Sequence, residues 1–107
     1  MRSQRMSEDD LKTFVIQYAK YNGWMVAHFR PAQTKKGWRT PIEGDRGFPD
    51  LVLARDGEVR LVELKSDRGR LGPGQKEWGV ALDENYRLWR PKDIELIKME
   101  LKRRSNR

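Results

Sequence analysis

Three ionisable residues near the middle of the chain have the types and spacing of a site that could carry chemistry. Asp50 precedes an apolar run at residues 51–55, and Glu63 and Lys65 lie at the end of a second run that starts at residue 58. Two carboxylates held close together repel each other, so they need a positive charge as compensation. Lys65 supplies one such charge, and a divalent cation between the carboxylates would turn the repulsion into attraction.

A tight turn must bring these three side chains together. Asp56 and Gly57 separate the two apolar runs, and this dipeptide is the strongest short signal for a type I′ hairpin. With these two residues in the loop, Asp50 lies directly opposite Glu63 on the same face, with Cβ atoms about 5 Å apart. Lys65 projects from that face as well, because side chains alternate along a strand.

The predicted carboxylate pair indicates a metal site. At an effective dielectric constant near 20, two ionised carboxylates about 5 Å apart repel by roughly 3 kcal/mol, more than the roughly 1 kcal/mol span of strand propensities. Hard oxygen ligands select Mg²⁺ or Mn²⁺ over zinc, and the backbone carbonyl of Leu64 is a third candidate ligand. In the alternative interpretation, Glu63 and Lys65 are solvated charges on an edge strand, but the neighbouring residues are too apolar for an edge.

Length and composition limit the class of protein. The chain has 107 residues and a formal net charge of +7, from 23 Lys and Arg against 16 Asp and Glu. We expect a single domain over residues 1–107 and a polyanionic partner. The absence of Cys excludes a disulfide framework, thiolate zinc sites and a cysteine nucleophile. No signal peptide or membrane-spanning run is recognisable, so the expected location is cytoplasmic, with no membrane partner.

The hydrophobic pattern predicts the elements that must position the site. A first helix begins after Ser7, with Glu8 at the edge of its apolar face. Residues 24–30 predict a strand, residues 31–49 a long connection without sustained period, and the hairpin follows. A second helix carries Gln75, although residues 71–74 are richer in glycine than a usual helix start, and Asn85 could end it in a left-handed conformation.

A last strand at residues 86–90 and a third helix after Pro91 complete the predicted order α, β, β, β, α, β, α. Helices separated by a hairpin and a parallel crossover predict a mixed sheet covered by helices. The fold class is therefore α/β, and the carboxylate pair is expected on central strands.

Several short motifs resemble those of a known nuclease superfamily. The segments Gly47-Phe48-Pro49-Asp50 and Glu63-Leu64-Lys65 resemble the PD-(D/E)xK nucleases, and Gln75 with Trp78 resembles the VRR-NUC branch. The resemblance covers nearly the whole chain and includes Glu8, Gly44-Asp45, Gly69-Arg70-Leu71 and Trp89-Arg90-Pro91. It implies a restriction-endonuclease-like core (α-β-β-β-α-β) with a mixed central sheet flanked by helices and an extra C-terminal helix.

The resemblance also implies roles for five residues. Asp50 and Glu63 would bind Mg²⁺, for which Mn²⁺ could substitute, and Lys65 would orient or deprotonate the attacking water. Glu8 would reach a metal directly or through water, and Gln75 would steady the scissile phosphate. Small stand-alone members of this branch resemble homodimeric enzymes that cut branched DNA, especially four-way (Holliday) junctions. A bacterial or phage-infected cell is the expected setting.

Basic and aromatic residues around the predicted site are candidates for binding DNA. The positively charged residues would contact phosphates, and Trp38 could stack on an unpaired base or serve as a packing anchor or a dimer contact. The expected DNA-binding residues are Arg30, Lys35, Lys36, Trp38, Arg39, Arg46, Arg68 and Arg70.

We therefore predict a Mg²⁺-dependent endodeoxyribonuclease. The alternative is a non-catalytic nucleic-acid-binding module on a nuclease-like fold, for which charge and aromatic residues alone would suffice. A retaining glycosidase also spaces two carboxyl groups by about 5 Å, but the net charge of +7 and the lysine beside the pair disfavour it.

Overall fold

The computed structural model describes residues 6–29, 32–34, 37–39 and 43–103, with the backbone alone described for residues 32–34 and 37–39. The described residues confirm the predicted α/β class and the order of the predicted elements, with two short strands added in the connection at residues 31–49. The helices and strands are α1 (Glu8–Tyr21), β1 (Met25–His28), β2 (Ala32–Thr34), β3 (Gly37–Arg39), β4 (Leu51–Arg55), β5 (Glu58–Leu64), α2 (Pro73–Leu82), β6 (Tyr86–Trp89) and α3 (Ile94–Leu101).

A mixed sheet of strand order β1-β4-β5-β6 lies at the centre of the fold. Strands β1, β4 and β5 are antiparallel neighbours, and β6 pairs parallel to β5 after the crossover through α2. The strands that carry the predicted carboxylate pair are therefore both central. The edge-strand interpretation of Glu63 and Lys65 is wrong, because β4 and β6 cover the two sides of β5.

The hairpin between β4 and β5 has the predicted register. Leu51 pairs with Val62, and the pairing continues to the turn at Asp56 and Gly57. Both turn residues have positive φ angles, 52° and 83°, as a type I′ turn requires. Asp50 directly precedes β4. Continuing the register by one residue places it opposite Glu63.

Helices α1 and α3 cover one face of the sheet and form the hydrophobic core with it. The indole of Trp24 donates a hydrogen bond of 3.0 Å to the carbonyl of Leu101, which joins the start of β1 to the end of α3. The buried core residues are Leu11, Val15, Ala19, Trp24, Leu51, Leu53, Val62, Leu64, Trp89, Ile97 and Leu101. Helix α2 packs on the opposite face, so the fold is the expected restriction-endonuclease-like core with an added C-terminal helix.

Two helices begin where their sequences allow the first turn to be completed. The hydroxyl of Ser7 accepts a hydrogen bond of 3.0 Å from the Asp10 N–H, as predicted for α1. Helix α2 begins at Pro73, which is favourable in a first turn because its missing N–H would have no partner there. The glycine-rich stretch before α2 is therefore compatible with a helix that carries Gln75 in its first turn.

No helix in the described part of the chain is long and apolar enough to cross a membrane.

Two local predictions were wrong. The connection at residues 31–49 contains a small antiparallel ribbon, β2 paired with β3, which a periodicity argument misses because each strand has three residues. Helix α2 ends at Leu82 with Asp83, whose φ is 52°, as its C-cap, and Asn85 does not end it. Asn85 instead lies in a 3₁₀ turn, Asp83–Asn85, that leads directly into β6.

The turn register can be tested at Gly57, where an added Cβ would meet no atom within 4 Å but would adopt a φ of 83°. We expect Gly57→Ala to lower the free energy of unfolding by about 1–2 kcal/mol, because the left-handed conformation strains any residue with a Cβ. Gly57→Asn should cost less, because Asn tolerates that conformation. Urea denaturation of both variants measures the difference, and an unchanged Gly57→Ala protein would contradict the left-handed turn.

Candidate active site

Asp50 is held at the start of β4 by bonds to the backbone of both neighbouring strands. Its carbonyl accepts a hydrogen bond of 3.2 Å from the Phe29 N–H, next to the end of β1. Its carboxylate oxygen Oδ2 accepts a hydrogen bond of 2.8 Å from the Leu64 N–H of β5. The side chain therefore cannot turn away from β5 without leaving a backbone N–H unpaired.

Glu63 is the buried carboxylate of the site, with 2% of its surface exposed. Its oxygen Oε2 accepts a hydrogen bond of 2.9 Å from Gln75 Nε2 and lies 4.0 Å from Lys65 Nζ. Its other oxygen, Oε1, is buried and has no hydrogen-bond partner in the described part of the chain. Since buried polar atoms in folded proteins are nearly always paired, this oxygen marks a place where a ligand can bind.

The surroundings of Glu63 disfavour the ionised form of its carboxyl group. Burial, reinforced by the carboxylate of Asp50, raises the pKa of Glu63 from 4.5 to about 8, although the nearby Lys65 opposes the shift. Glu8 adds the smallest of the contributions that raise this pKa. The pair therefore carries less than two full negative charges near neutral pH unless a further positive charge arrives.

Gln75 links α2 to the carboxylate. Its Oε1 accepts a hydrogen bond of 2.8 Å from the Gly72 N–H, and its Nε2 donates to Glu63. A primary amide has two N–H donors, so one hydrogen on Nε2 is left for a ligand. The glycine-rich start of α2 thus places Gln75 directly over Glu63.

A close backbone contact brings α2 to this position. Gly47 has a φ of 93°, and a Cβ on it would collide with the backbone of Gly74 and Gln75. A Cβ on Gly74 would lie 2.6 Å from the carbonyl oxygen of Arg46. Neither glycine can carry a side chain here, because the segment before β4 and the first turn of α2 touch through their main chains.

Aromatic side chains also join the segment before β4 to α2. The ring of Phe48 lies edge-on to Phe29 at a centroid distance of 5.3 Å and to Trp78 at 4.9 Å. The indole of Trp78 also donates a hydrogen bond of 3.3 Å to the carbonyl of Asp45. Edge-to-face packing of this kind stabilises beyond simple burial, so these rings help to hold α2 against the segment before Asp50.

Lys65 is positioned by the loop that follows it. Its N–H donates a hydrogen bond of 3.1 Å to the Trp89 carbonyl, and a Cβ on Gly69 would lie 3.3 Å from its Cδ. Arg90 donates hydrogen bonds of 2.7 Å to the carbonyls of Ser66 and Gly69. The lysine stem therefore lies against a turn that the guanidinium of Arg90 holds closed.

The structure brings four predicted site residues together, namely Asp50, Glu63, Lys65 and Gln75. Leu64 contacts Asp50 through its N–H, and Glu8 is exposed at the first residue of α1. Among the described residues, no three His, Cys, Asp or Glu side chains form a group that could hold a metal ion.

The predicted DNA-binding residues divide between described and undescribed parts of the chain. Arg46, Arg68 and Arg70 are exposed on loops next to the site. The predictions for Arg30, Lys35 and Lys36, and for the side chains of Trp38 and Arg39, concern parts of the chain outside the described residues.

Sequence reasoning missed two residues that contact or face the site. Arg90, recognised only as part of a motif, closes the loop behind Lys65. Tyr86, the first residue of β6, has a buried hydroxyl without a partner in the described part of the chain. An aromatic residue opening the last strand was the only available signal, because the pairing of β6 with β5 follows a helical crossover that no turn motif encodes.

The donor set fits a hard divalent cation. Asp50 and Glu63 present carboxylates from adjacent strands, and the unpartnered Oε1 of Glu63 is an oxygen that a cation would satisfy. Oxygen ligands of this kind suit Mg²⁺ and Mn²⁺.

The pKa of Glu63 predicts how stability depends on pH without a cation. Between pH 4.5 and about 8, the unfolded protein has ionised Glu63 while the folded protein keeps it protonated. The contribution of Glu63 to stability is thus fully present below pH 4.5 and is lost as the pH rises to about 8. Glu63→Gln removes this loss, so we expect it to be more stable than the wild type at pH 8.5 and similar at pH 4.5.

Urea unfolding of both proteins in chelator measures this difference across the pH range. Glu95→Gln, which changes an exposed carboxylate on α3, is the matched control. A stability difference between Glu63→Gln and the wild type that stays constant from pH 4.5 to 8.5 would contradict the raised pKa.

Comparison with known proteins agrees with the geometry. The family model described as the VRR-NUC domain matches residues 30–87, which is more than half of the chain and includes Asp50, Glu63, Lys65 and Gln75. Comparisons with curated proteins and with solved structures gave no match. With the sheet, the paired carboxylates and this match taken together, the chain belongs to the VRR-NUC domain family of the PD-(D/E)xK superfamily and is a nuclease-like module.

Proposed function

We propose that this protein is a metal-dependent endonuclease that hydrolyses phosphodiester bonds in DNA. The observation that carries the proposal is the pair Asp50 and Glu63 on adjacent central strands, with Glu63 Oε1 buried and unpartnered and Lys65 Nζ 4.0 Å from Oε2. A protein that only binds nucleic acid gains nothing from burying a carboxylate whose pKa is raised to about 8. Burial of this kind at a charged cluster is typical of a catalytic site.

Asp50 and Glu63 would hold Mg²⁺, with the Leu64 carbonyl and Glu8 as further candidate ligands. When bound, Mg²⁺ supplies Lewis-acid activation of the phosphate and lowers the pKa of a coordinated water. Mn²⁺ should substitute, because it prefers the same oxygen ligands.

Lys65 and Gln75, which both lie next to Glu63 Oε2, would act on the substrate. The ammonium of Lys65 can orient the attacking water and stabilise the negative charge that develops on the phosphate. The free amide hydrogen of Gln75 can donate to a phosphate oxygen, because its other hydrogen and its Oε1 are already bonded. Hydrolysis adds water across the P–O bond and leaves a phosphate end and a hydroxyl end.

The charge of the protein supports DNA as the substrate. A net charge of +7 attracts a polyanion, and Arg46, Arg68 and Arg70 are exposed on the loops that precede β4 and follow β5. The family resemblance extends the proposal to branched DNA, with four-way junctions as the preferred substrate and a homodimer as the active form. A two-fold symmetric dimer would present one site to each of two opposed strands.

Substitutions at the site should separate cutting from binding. We expect Asp50→Asn, Glu63→Gln and Lys65→Ala each to lower the cleavage rate by about 100-fold or more, because each removes a group that acts on the reacting atoms. DNA affinity should change little, since the exposed arginines remain. Gel assays with a labelled four-way junction measure both quantities.

Matched substitutions on exposed positions serve as controls for these three variants. They are Asp56→Asn in the type I′ turn, Glu95→Gln on α3 and Lys20→Ala on α1. The controls should cut at the wild-type rate. Normal cutting by any of the three site variants would refute the role assigned to that residue.

The substrate and the oligomeric state are tested with one panel of DNAs. The wild type is incubated with four-way, forked, single-stranded and linear DNA, in Mg²⁺ or in chelator. We expect cleavage in Mg²⁺ alone, fastest on the four-way junction and symmetric across it, and a dimer mass by light scattering. Tight binding without Mg²⁺-dependent products would support a non-catalytic binding module, and equal cutting of all DNAs would refute the preference for junctions.

A further inference from the structure

Two buried side-chain atoms stand out because they lack hydrogen-bond partners. Within the described ranges 6–29 and 43–103, the buried side-chain nitrogen and oxygen atoms without a partner are Glu63 Oε1 and the Tyr86 hydroxyl. An unpaired buried donor or acceptor is unfavourable and therefore uncommon in folded proteins. The proposed cation accounts for the first of these atoms, whereas the Tyr86 hydroxyl has no role in the mechanism described so far.

The position of Tyr86 places its ring in the layer that contains the site. Tyr86 pairs with Leu61 in the parallel register of β5 and β6, two residues before Glu63. Because side chains alternate along a strand, Tyr86 shares the face of Leu61 and Glu63. On the other side of the ring is α2, where a Cβ on Gly79 would lie 3.0 Å from Tyr86 Cε2.

Gly79 also shows that Tyr86 lies near Gln75, the residue that donates a hydrogen bond to Glu63. It lies four residues after Gln75, and residues at this spacing share one face of a helix. Tyr86 and Gln75 therefore occupy neighbouring positions between α2 and the sheet. The absence of a side chain at Gly79 leaves the room that the ring of Tyr86 fills.

The hydroxyl of Tyr86 also interacts electrostatically with both carboxylates. Burial raises the pKa of Tyr86 to about 12, and the negative charges of Glu63 and Asp50 reinforce the shift. The phenol thus remains a neutral hydrogen-bond donor under physiological conditions. The Tyr86 hydroxyl and Glu63 Oε1 are both buried, belong to residues on one face of the sheet and are not bonded to each other, so one intervening water would pair them.

We propose that Tyr86 is a positioning residue of the site: its hydroxyl holds the Oε1 side of the Glu63 carboxyl, through one water molecule, in the orientation that binds a divalent cation. Groups that hydrogen-bond to metal ligands in this way fix their orientation and strengthen binding. The inference rests on the proposed function, because it assumes that Glu63 is a cation ligand. It adds a residue from β6 to a site otherwise built from β4, β5 and α2.

The variant Tyr86→Phe tests this role, because it removes the hydroxyl and keeps the ring that packs on Gly79. We expect its affinity for Mn²⁺, measured by titration calorimetry in the absence of DNA, to fall by about 10- to 100-fold. Its melting temperature in chelator should change little, because the lost hydroxyl bonds one water and no protein atom in the described part of the chain. Cleavage of the four-way junction should slow while DNA affinity is retained.

Two other tyrosines provide matched controls. Tyr21 is 83% exposed, so Tyr21→Phe should change neither Mn²⁺ affinity nor melting temperature. The hydroxyl of Tyr18 lies 3.5 Å from the Lys98 carbonyl, away from the site, so Tyr18→Phe can lower only the melting temperature.

The outcomes separate this inference from the proposed function. If the wild type binds Mn²⁺ and Tyr86→Phe binds it equally well, the positioning role is overturned and the metal site stands. If the wild type binds no Mn²⁺, the metal-dependent mechanism is overturned, and the inference falls with it. A large fall in the melting temperature of Tyr86→Phe in chelator would assign the hydroxyl a structural role and would also overturn the inference.

Discussion

The repulsion between two carboxylates on adjacent central strands is the constraint to which the rest of the site responds. The hairpin register leaves Asp50 and Glu63 on one face, and the bond from the Leu64 N–H keeps Asp50 there. Glu63 is 2% exposed, so water cannot screen its charge effectively. A buried arrangement of this kind is unfavourable for folding unless a proton or a positive charge compensates it.

The two faces of the sheet have different roles, because one carries the hydrophobic core and the other carries the candidate site. On one face, Leu51, Leu53 and Val62 are fully buried beneath α1 and α3 and supply most of the apolar burial. The ion pairs of Glu100 with Arg60 and Arg87 join α3 to the sheet on that side. Because the core lies there, the opposite face can carry Glu63 and its polar neighbours without being the main source of stability.

The parts of the site that could be predicted from sequence are those that depend on local geometry. A two-residue turn and the alternation of side chains were enough to bring Asp50, Glu63 and Lys65 together, and the structure places all three as predicted. Motif resemblance located Gln75 on its helix. These predictions succeeded because the register of a hairpin is set by its turn and loop length.

The remaining parts depend on contacts between elements that are distant along the chain. The hydroxyl of Tyr86 reaches the site through the parallel register of β5 and β6, which follows a crossover through α2. The main-chain contact between Gly47 and Gly74 depends on how α2 docks, and a glycine alone does not reveal its partner. The end of α2 was misplaced because Asp83, not a glycine or asparagine, has the positive φ there.

The low burial of α2 has a consequence for how a ligand reaches Glu63. No residue of α2 is fully buried, whereas α1 places three side chains in the core and α3 places two. Segments with few buried side chains separate from a fold at a lower free-energy cost than central strands do. We therefore expect local opening of α2, seen as fast amide hydrogen exchange in this helix and slow exchange in β4 and β5. Such opening would admit a bulky ligand to Glu63 while the strands keep their pairing.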